Sequence, residues 1–241
     1  LAPWLKRRFF DNVDPDATVH RSTIDDNPIK EVRDTYRARL DMIQDQVARD
    51  IYRFGLWALA KGVIFGWDVV SELPAAVDAI FYGGDFGYSV DPAALVKIYR
   101  KANEYWLEEI IYQPGLTNQD LAARMKNDAR YDRRLTSYWD SAEPKSIEEL
   151  FREGINAVPA LKGQDSVRAG IDFLRSVKVH ILAGSENIIN EARKYRYKTD
   201  KNGEPLPDPV DFDDHAMSAV RYGIYSEARQ AEAMAWIPGR R

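Results

Sequence analysis

Ala79-Ile-Phe-Tyr-Gly-Gly-Asp85, continuing through Phe86-Gly-Tyr88, is the stretch on which the fold turns. Apolar and aromatic residues run into a glycine pair and then a carboxylate, which reads as a strand that ends where few side chains crowd the backbone. Working downstream, Ala93–Tyr99 and Tyr105–Tyr112 are two more strands rich in aromatic and β-branched residues. Short connections between the three make an antiparallel meander. Thr117-Asn-Gln-Asp120 then opens a helix through Met125, and Thr136–Trp139 is a short strand ending at Asp140. Lys145–Phe151 is a helix closed by Gly154, and Ile155–Val158 returns as a strand, giving a βαβ unit. A helix over 164–177 and a strand at His180–Leu182 follow. The order βββαβαβα specifies an α/β fold on a mixed sheet flanked by helices.

Further on, Tyr195-Arg-Tyr-Lys-Thr-Asp-Lys-Asn-Gly203 ends in Asn-Gly, a strong hairpin signal, so a hairpin or protruding loop is expected over 195–211. Ala216–Tyr225 makes the last helix. Upstream of the opening stretch the chain is mainly helical. Asn27 is a suitable N-cap with Pro28 at the first helical position, and Val32, Tyr36, Leu40, Ile43 and Val47 recur at spacings of three and four. A second helix over 47–60 runs to Lys61-Gly62. The composition changes after that, placing a boundary between a helical segment, 1–74, and the α/β domain, 75–241.

Composition narrows the function. Of the 241 residues 45% are hydrophobic and 30% charged, ordinary globular usage that argues against disorder. There is no cysteine, so any metal is bound by oxygen or imidazole and a reducing compartment is expected. No run approaches the roughly 20 apolar residues of a membrane span, and the cytoplasm is the expected location. A formal charge of −4 gives no global attraction to nucleic acid, so a DNA-binding surface has to be local. The first residue is Leu1 rather than Met, which points to a fragment of something longer.

The chemistry rests on acids at three places: Asp85, Asp140, and the cluster Asp213-Asp214-His215. Each has a plain alternative. Asp85 suits a turn aspartate bonded to its own loop, Ser141 and Glu143 beside Asp140 suit caps of the next helix, and Asp213 and Asp214 suit a helix N-terminus. In combination, two strand-end carboxylates and one at a helix start are what a pair of Mg²⁺ or Mn²⁺ ions needs, because such ions prefer oxygen ligands. Two ions about 4 Å apart activate an attacking water and stabilise the leaving oxygen. His215 is a candidate ligand or proton acceptor, while His20 and His180 read as structural. Arg193, Lys194, Arg196, Lys198 and Lys201, interleaved with Tyr195 and Tyr197, suit a duplex backbone or simply a solvated hairpin. Lys145 and Lys162 are further phosphate candidates.

Taken together, Gly83-Gly-Asp-Phe-Gly-Tyr-Ser-Val-Asp-Pro92, Glu108-Glu-Ile-Ile-Tyr112, Asp140-Ser-Ala-Glu-Pro-Lys-Ser-Ile-Glu-Glu-Leu150, Lys162-Gly-Gln-Asp-Ser166 and Asp214-His-Ala-Met-Ser-Ala-Val-Arg-Tyr-Gly223 resemble the C-terminal nuclease of the tailed-phage terminase large subunit, PBSX-type. The resemblance implies an RNase H-like (RuvC-like) fold over 75–241. It maps the family's metal-binding acids to Asp85 and Asp140. Related sequences carry a carboxylate three residues after the histidine, where this chain has Ser218, so Asp214 first and Asp213 second are expected to substitute. His20-Arg-Ser-Thr-Ile-Asp-Asp-Asn-Pro28 and Gly55–Gly62 resemble the tail of the family's ATPase domain. The chain has no Gly-x-x-x-x-Gly-Lys-[Ser/Thr] loop, so this piece is not expected to hydrolyse ATP.

The implied function is metal-dependent endonuclease cleavage of concatemeric double-stranded viral DNA during packaging. The implied partners are a small subunit, the procapsid portal and the ATPase domain of the same chain, in the host cytoplasm and without a membrane. An RNase H-like resolvase or transposase, or a DNA-docking module whose acids are only caps, are the alternative readings.

Overall fold

A computed structural model of the protein describes residues 23–41, 63–87, 89–162, 166–199, 205–210 and 214–235. The chain divides into two compact units, residues 1–61 and 62–241. In the first, Thr23 and Asp26 form a capping box around the turn Ile24–Asp26. Helix α1 (Lys30–Asp41) follows. It starts later than expected: the Asn27 carboxamide oxygen caps locally, accepting from the Ile29 amide at 2.9 Å, and Pro28 lies outside the helix. The helix expected over 47–60, with Ile43 and Val47, lies outside the described residues.

The second unit is built on a seven-stranded mixed sheet of order β1-β7-β4-β3-β2-β5-β6. Strands β2 (Ala79–Asp85), β3 (Ala93–Lys101) and β4 (Glu104–Gln113) form the expected antiparallel meander. Strand β5 (Ser137–Trp139) pairs parallel with β2, and β6 (Ala157–Pro159) pairs parallel with β5. On the other flank β7 (Lys178–Leu182) runs parallel to β4, and β1 (Asp68–Val70) parallel to β7. β1 lies on the N-terminal side of residue 74 and belongs to this sheet. Helices α2 (Asn118–Asn127), α3 (Pro144–Arg152), α4 (Ser166–Ser176), α5 (Glu186–Lys194) and α6 (His215–Ala235) complete the unit. None of the described helices is long and apolar enough to cross a membrane.

Side chains alternate across the sheet, as the pleat requires. Phe81, Val96 and Ile98 face a core shared with Ile171 and Leu174 of α4 and Ala219 and Val220 of α6. Tyr82 and Leu95 face a second core with Leu121 and Met125 of α2 and Leu150 of α3. Helices therefore cover both faces. Leu95, Ile98 and Leu107 are fully buried, each worth roughly 1.5–3 kcal/mol relative to exposure.

Two glycines set where α6 lies. A Cβ on Gly83 would fall 1.9 Å from the Ala219 carbonyl oxygen, and one on Gly223 would fall 3.1 Å from the Gly83 backbone. Strand β2 and α6 thus touch backbone to backbone, which carries the start of α6 towards the end of β2.

Two expectations need correction, while the hairpin expected over 195–211 is present. Helix α5 stands where none was expected, and Arg193 and Lys194 occupy its last turn rather than a hairpin, a favourable place for cations at the negative end of the helix dipole. The hairpin itself is β8 (Tyr197–Thr199) paired with β9 (Pro205–Pro209), carrying Lys198, with Arg196 in an isolated bridge to Val63. The last helix continues ten residues beyond Tyr225, through Ala235.

Candidate active site

Parallel pairing of β2 with β5 places Gly84 opposite Trp139. The next residues, Asp85 and Asp140, therefore leave the same edge of the sheet on adjacent strands, which run about 4.8 Å apart. Trp139 fixes this edge: its ring lies against the Gly84 backbone, where a Cβ would come within 2.5 Å, and stacks on Phe86 at 4.5 Å. Helix α6 delivers the third group. The His215 Nδ1 is 3.1 Å from the Asp85 Oδ2, and its Nε2 is 3.9 Å from Asp91. Asp214 stands at the helix start, its carbonyl accepting the Ser218 amide at 2.7 Å.

The two strand-end carboxylates are held differently. Burial raises the Asp85 carboxyl above its ordinary 3.8; the His215 hydrogen bond opposes this, and the nearby charges of Asp214 and Asp140 add to it. The same bond to Asp85 raises His215 above 6.5. At Asp140 burial again acts upwards, but Lys162, the Ala142 amide and the Tyr222 hydroxyl outweigh it, and the carboxyl falls below 3.8. Lys162 Nζ pairs with Asp140 Oδ1. The Ala142 amide donates to Oδ1 at 2.8 Å, and the Tyr222 hydroxyl donates to Oδ2 at 2.9 Å.

A cleft of about 530 Å³ opens beside Asp85 and His215, with Asp91, Glu143 and Glu149 also in its wall and, among the described residues, no Lys or Arg. Among the described residues no three His, Asp or Glu side chains converge as a complete metal-ligand set. The donor chemistry nonetheless fits a hard divalent cation: oxygen donors dominate, and Asp85 is disfavoured as an anion by burial and by two neighbouring acids, all of which a cation would reverse.

The sequence-derived candidates separate accordingly. Asp85, Asp140, Asp214, His215 and Lys162 share one neighbourhood. Lys145 is exposed in the first turn of α3. Arg193 and Lys194 sit at the end of α5, Arg196 precedes the hairpin, and Lys198 lies within its first strand. Asp213 and Lys201 lie outside the described residues. His180, read from the sequence as structural, is stacked on Trp106 and 3.2 Å from Glu104.

Two contributors were not foreseen. Tyr222 was signalled by spacing, since residues 214, 218 and 222 recur every four along one helical face. Glu191 had no such signal. It is buried, pushed up to about 7 by desolvation, and accepts from the Tyr112 hydroxyl at 2.6 Å and the Met217 amide at 3.0 Å, capping the helix that carries His215.

Comparison with known proteins points to one family. The terminase large subunit of Bacillus phage SPP1 is 30% identical over 97% of this chain and 58% of its own length. The PBSX phage terminase large subunit of Bacillus subtilis (strain 168) is 27% identical over 87% of this chain and 50% of its own. The chain thus spans little more than half of these relatives. Among solved structures, the SPP1 large terminase nuclease domain with bound Mn matches with a TM-score of 0.60 and 27% identity, over 70% of this chain and 99% of that one. The P22 large terminase nuclease domain, at 18% identity and a TM-score of 0.57 over 70% and 94%, shares the fold. Residues 85–225 match the family described as the terminase RNAseH like domain, and the chain belongs to that family.

Proposed function

We propose that this domain is a divalent-metal-dependent endonuclease for double-stranded DNA, the cutting part of a terminase large subunit that cleaves concatemeric viral DNA during packaging. The observation that carries the reading is the placement of Asp85 and Asp140 on neighbouring strand ends with His215 against Asp85. Asp85, Asp140 and Asp214, with His215 in support, would hold Mg²⁺ or Mn²⁺, two ions in all; Asp213 is kept as an alternative ligand. The SPP1 relative with bound Mn supports the choice of metal. When bound, such ions generate the nucleophile and neutralise charge on the phosphate.

The chain's own residues prepare the rest. Lys162, Tyr222 and the Ala142 amide keep Asp140 ionised and fixed in direction. Asp85 orients the His215 ring through Nδ1, leaving Nε2 for a proton or a water. Glu191 anchors the helix start from beneath.

Residues 1–74 are read as the tail of the packaging ATPase domain, and this piece is expected to show no ATP hydrolysis. The small subunit and the procapsid portal are the expected partners, in the host cytoplasm. Arg193, Lys194, Arg196, Lys198 and Lys201 are assigned to contacts with the duplex backbone.

The test is cleavage of supercoiled plasmid in Mn²⁺ by wild type and by Asp85→Ala and Asp140→Ala. Loss of cutting in both, with circular dichroism unchanged, is the expected result. Undiminished cutting by either variant overturns the assignment. Cleavage of four-way junctions in strong preference to linear duplex would instead favour a resolvase.

A further inference from the structure

Arg221 is 8% exposed and lies one turn along α6 from Ser218, whose Oγ its Nη2 approaches at 3.4 Å. Among the described residues no Asp or Glu forms an ion pair with it. The half-buried Arg100 is different, with Glu227 at 3.4 Å. The other guanidinium nitrogens of Arg221 are not sealed from solvent and carry no counter-ion among the described residues, so they are open to an anion from elsewhere. The fold makes room for it: a Cβ on Gly170 of α4 would stand 2.7 Å from the Arg221 Cγ.

A second cation lies close by. The Arg221 Cζ is 4.6 Å from the centroid of the Tyr222 ring, and the Lys162 Nζ is 5.4 Å from the same centroid. That ring's hydroxyl is the one bonded to Asp140. Both cations thus lie against the ring that bonds Asp140, Lys162 paired with the acid itself and Arg221 reaching Ser218, while the cleft on the Asp85 side is walled by Asp91, Glu143 and Glu149 and would repel a phosphate.

We propose that Arg221, Lys162 and the Ser218 hydroxyl form a seat for one backbone phosphate of the DNA next to Asp140, setting the register of the strand on the site. The planar fork of Arg221 suits two phosphate oxygens, Lys162 supplies a mobile point charge, and Ser218 donates a hydrogen bond where a carboxylate would repel. The seat rests on the nuclease reading for its purpose.

The experiment measures binding of a short duplex by fluorescence anisotropy in EDTA, as a function of salt, and separately the KM for plasmid cutting in Mn²⁺. The variants are Arg221→Met, Arg221→Lys, Lys162→Met and, as a control on the opposite edge of the sheet, Lys178→Met. Arg221→Met and Lys162→Met should each lower the slope of log affinity against log salt by about one, and weaken binding roughly tenfold to a hundredfold. Arg221→Lys should keep the slope with intermediate affinity, and Lys178→Met should match wild type.

An unchanged slope and KM in folded Arg221→Met overturns the seat. Should that variant fail to fold, Lys162→Met decides the matter by the same slope. A wild type that cuts plasmid while the variants keep their slopes sinks the seat alone. A wild type that binds through the seat but cuts nothing sinks the nuclease reading and leaves the seat as a DNA contact.

Discussion

Asp85 and Asp140 occupy equivalent places on neighbouring parallel strands, and their side chains are similarly shielded, at 15% and 20% exposure. Burial is the largest single influence on both. What differs is the opposition to it. Asp140 has an ammonium, a phenol and a backbone amide, and is the better anion for them; Asp85 has one imidazole and two acidic neighbours, and is the worse. Equivalent positions in a sheet therefore give unequal carboxylates, one stabilised by the protein itself and one whose charge calls for a cation from outside.

The widest break of the comparison is kinetic. If both acids hold metal, Asp85→Asn and Asp140→Asn should each slow Mn²⁺-dependent cutting about a thousandfold or more, whatever their effect on stability. Single-turnover rates at saturating Mn²⁺ check this. A variant at 85 that stays within tenfold of wild type would confine the chemistry to Asp140 and its partners.

A change at the β2–α6 contact should act on the Asp85 side. Gly83→Ala sets a methyl 1.9 Å from the Ala219 carbonyl oxygen, and because the obstacle is backbone, the helix itself has to move. A loss of about 3 kcal/mol in urea unfolding is expected, with His215 drawn away from Asp85. A loss below about 1 kcal/mol would mean that α6 is free to shift and that the close approach does not set the geometry.

Glu191 sharpens the same side through pH. Its carboxyl is raised from 4.5 to about 7 in the folded protein. Between those values the folded form keeps a proton that the unfolded form has released, so stability falls as pH rises and levels off above about 7. The drop is roughly 3 kcal/mol. Glu191→Gln should flatten the dependence of Tm on pH between 5 and 8. A variant whose Tm still falls as steeply would assign that slope to another group.

How much of this was legible in the sequence depended on whether the cause was local. The meander and the acids at its rim announced themselves, because alternation along β2 and β3 and the glycines before Asp85 are local patterns. β1 did not: three residues become a strand only through pairing with β7. Helix α5 carried a usable signal, with Ile188, Ile189 and Ala192 on its buried face and Gly184 at φ +95° before it. The basic run that ends it reads more readily as part of the hairpin. The far end of α6 is rich in Ala, Glu, Arg and Gln, good helix formers that support its continuation past Tyr225. Within the site, spacing offered Tyr222. The hold of Glu191 on the helix start depends on α5 meeting α6 in three dimensions, and no sequence period encodes that.

The smallest effect isolates the two acids most cleanly, in the absence of divalent metal. Asp140→Asn removes the charge that Lys162 pairs with and weakens the acceptor for Tyr222 and Ala142. Because Lys162 is 34% exposed and partly screened, the cost should be modest, about 1–2 kcal/mol at neutral pH. The folded carboxyl lies below 3.8, so the contribution is complete above that value and fades as pH falls through the lowered folded one. Asp85→Asn should do the reverse at neutral pH. It removes a buried charge flanked by Asp214 and Asp140, and stability should be unchanged or raised by about 1 kcal/mol despite the loss of the His215 bond. Urea midpoints of the two variants in EDTA make the comparison. Equal destabilisation would mean that His215 serves Asp85 as fully as Lys162 serves Asp140, and the asymmetry between the two strand ends would be lost.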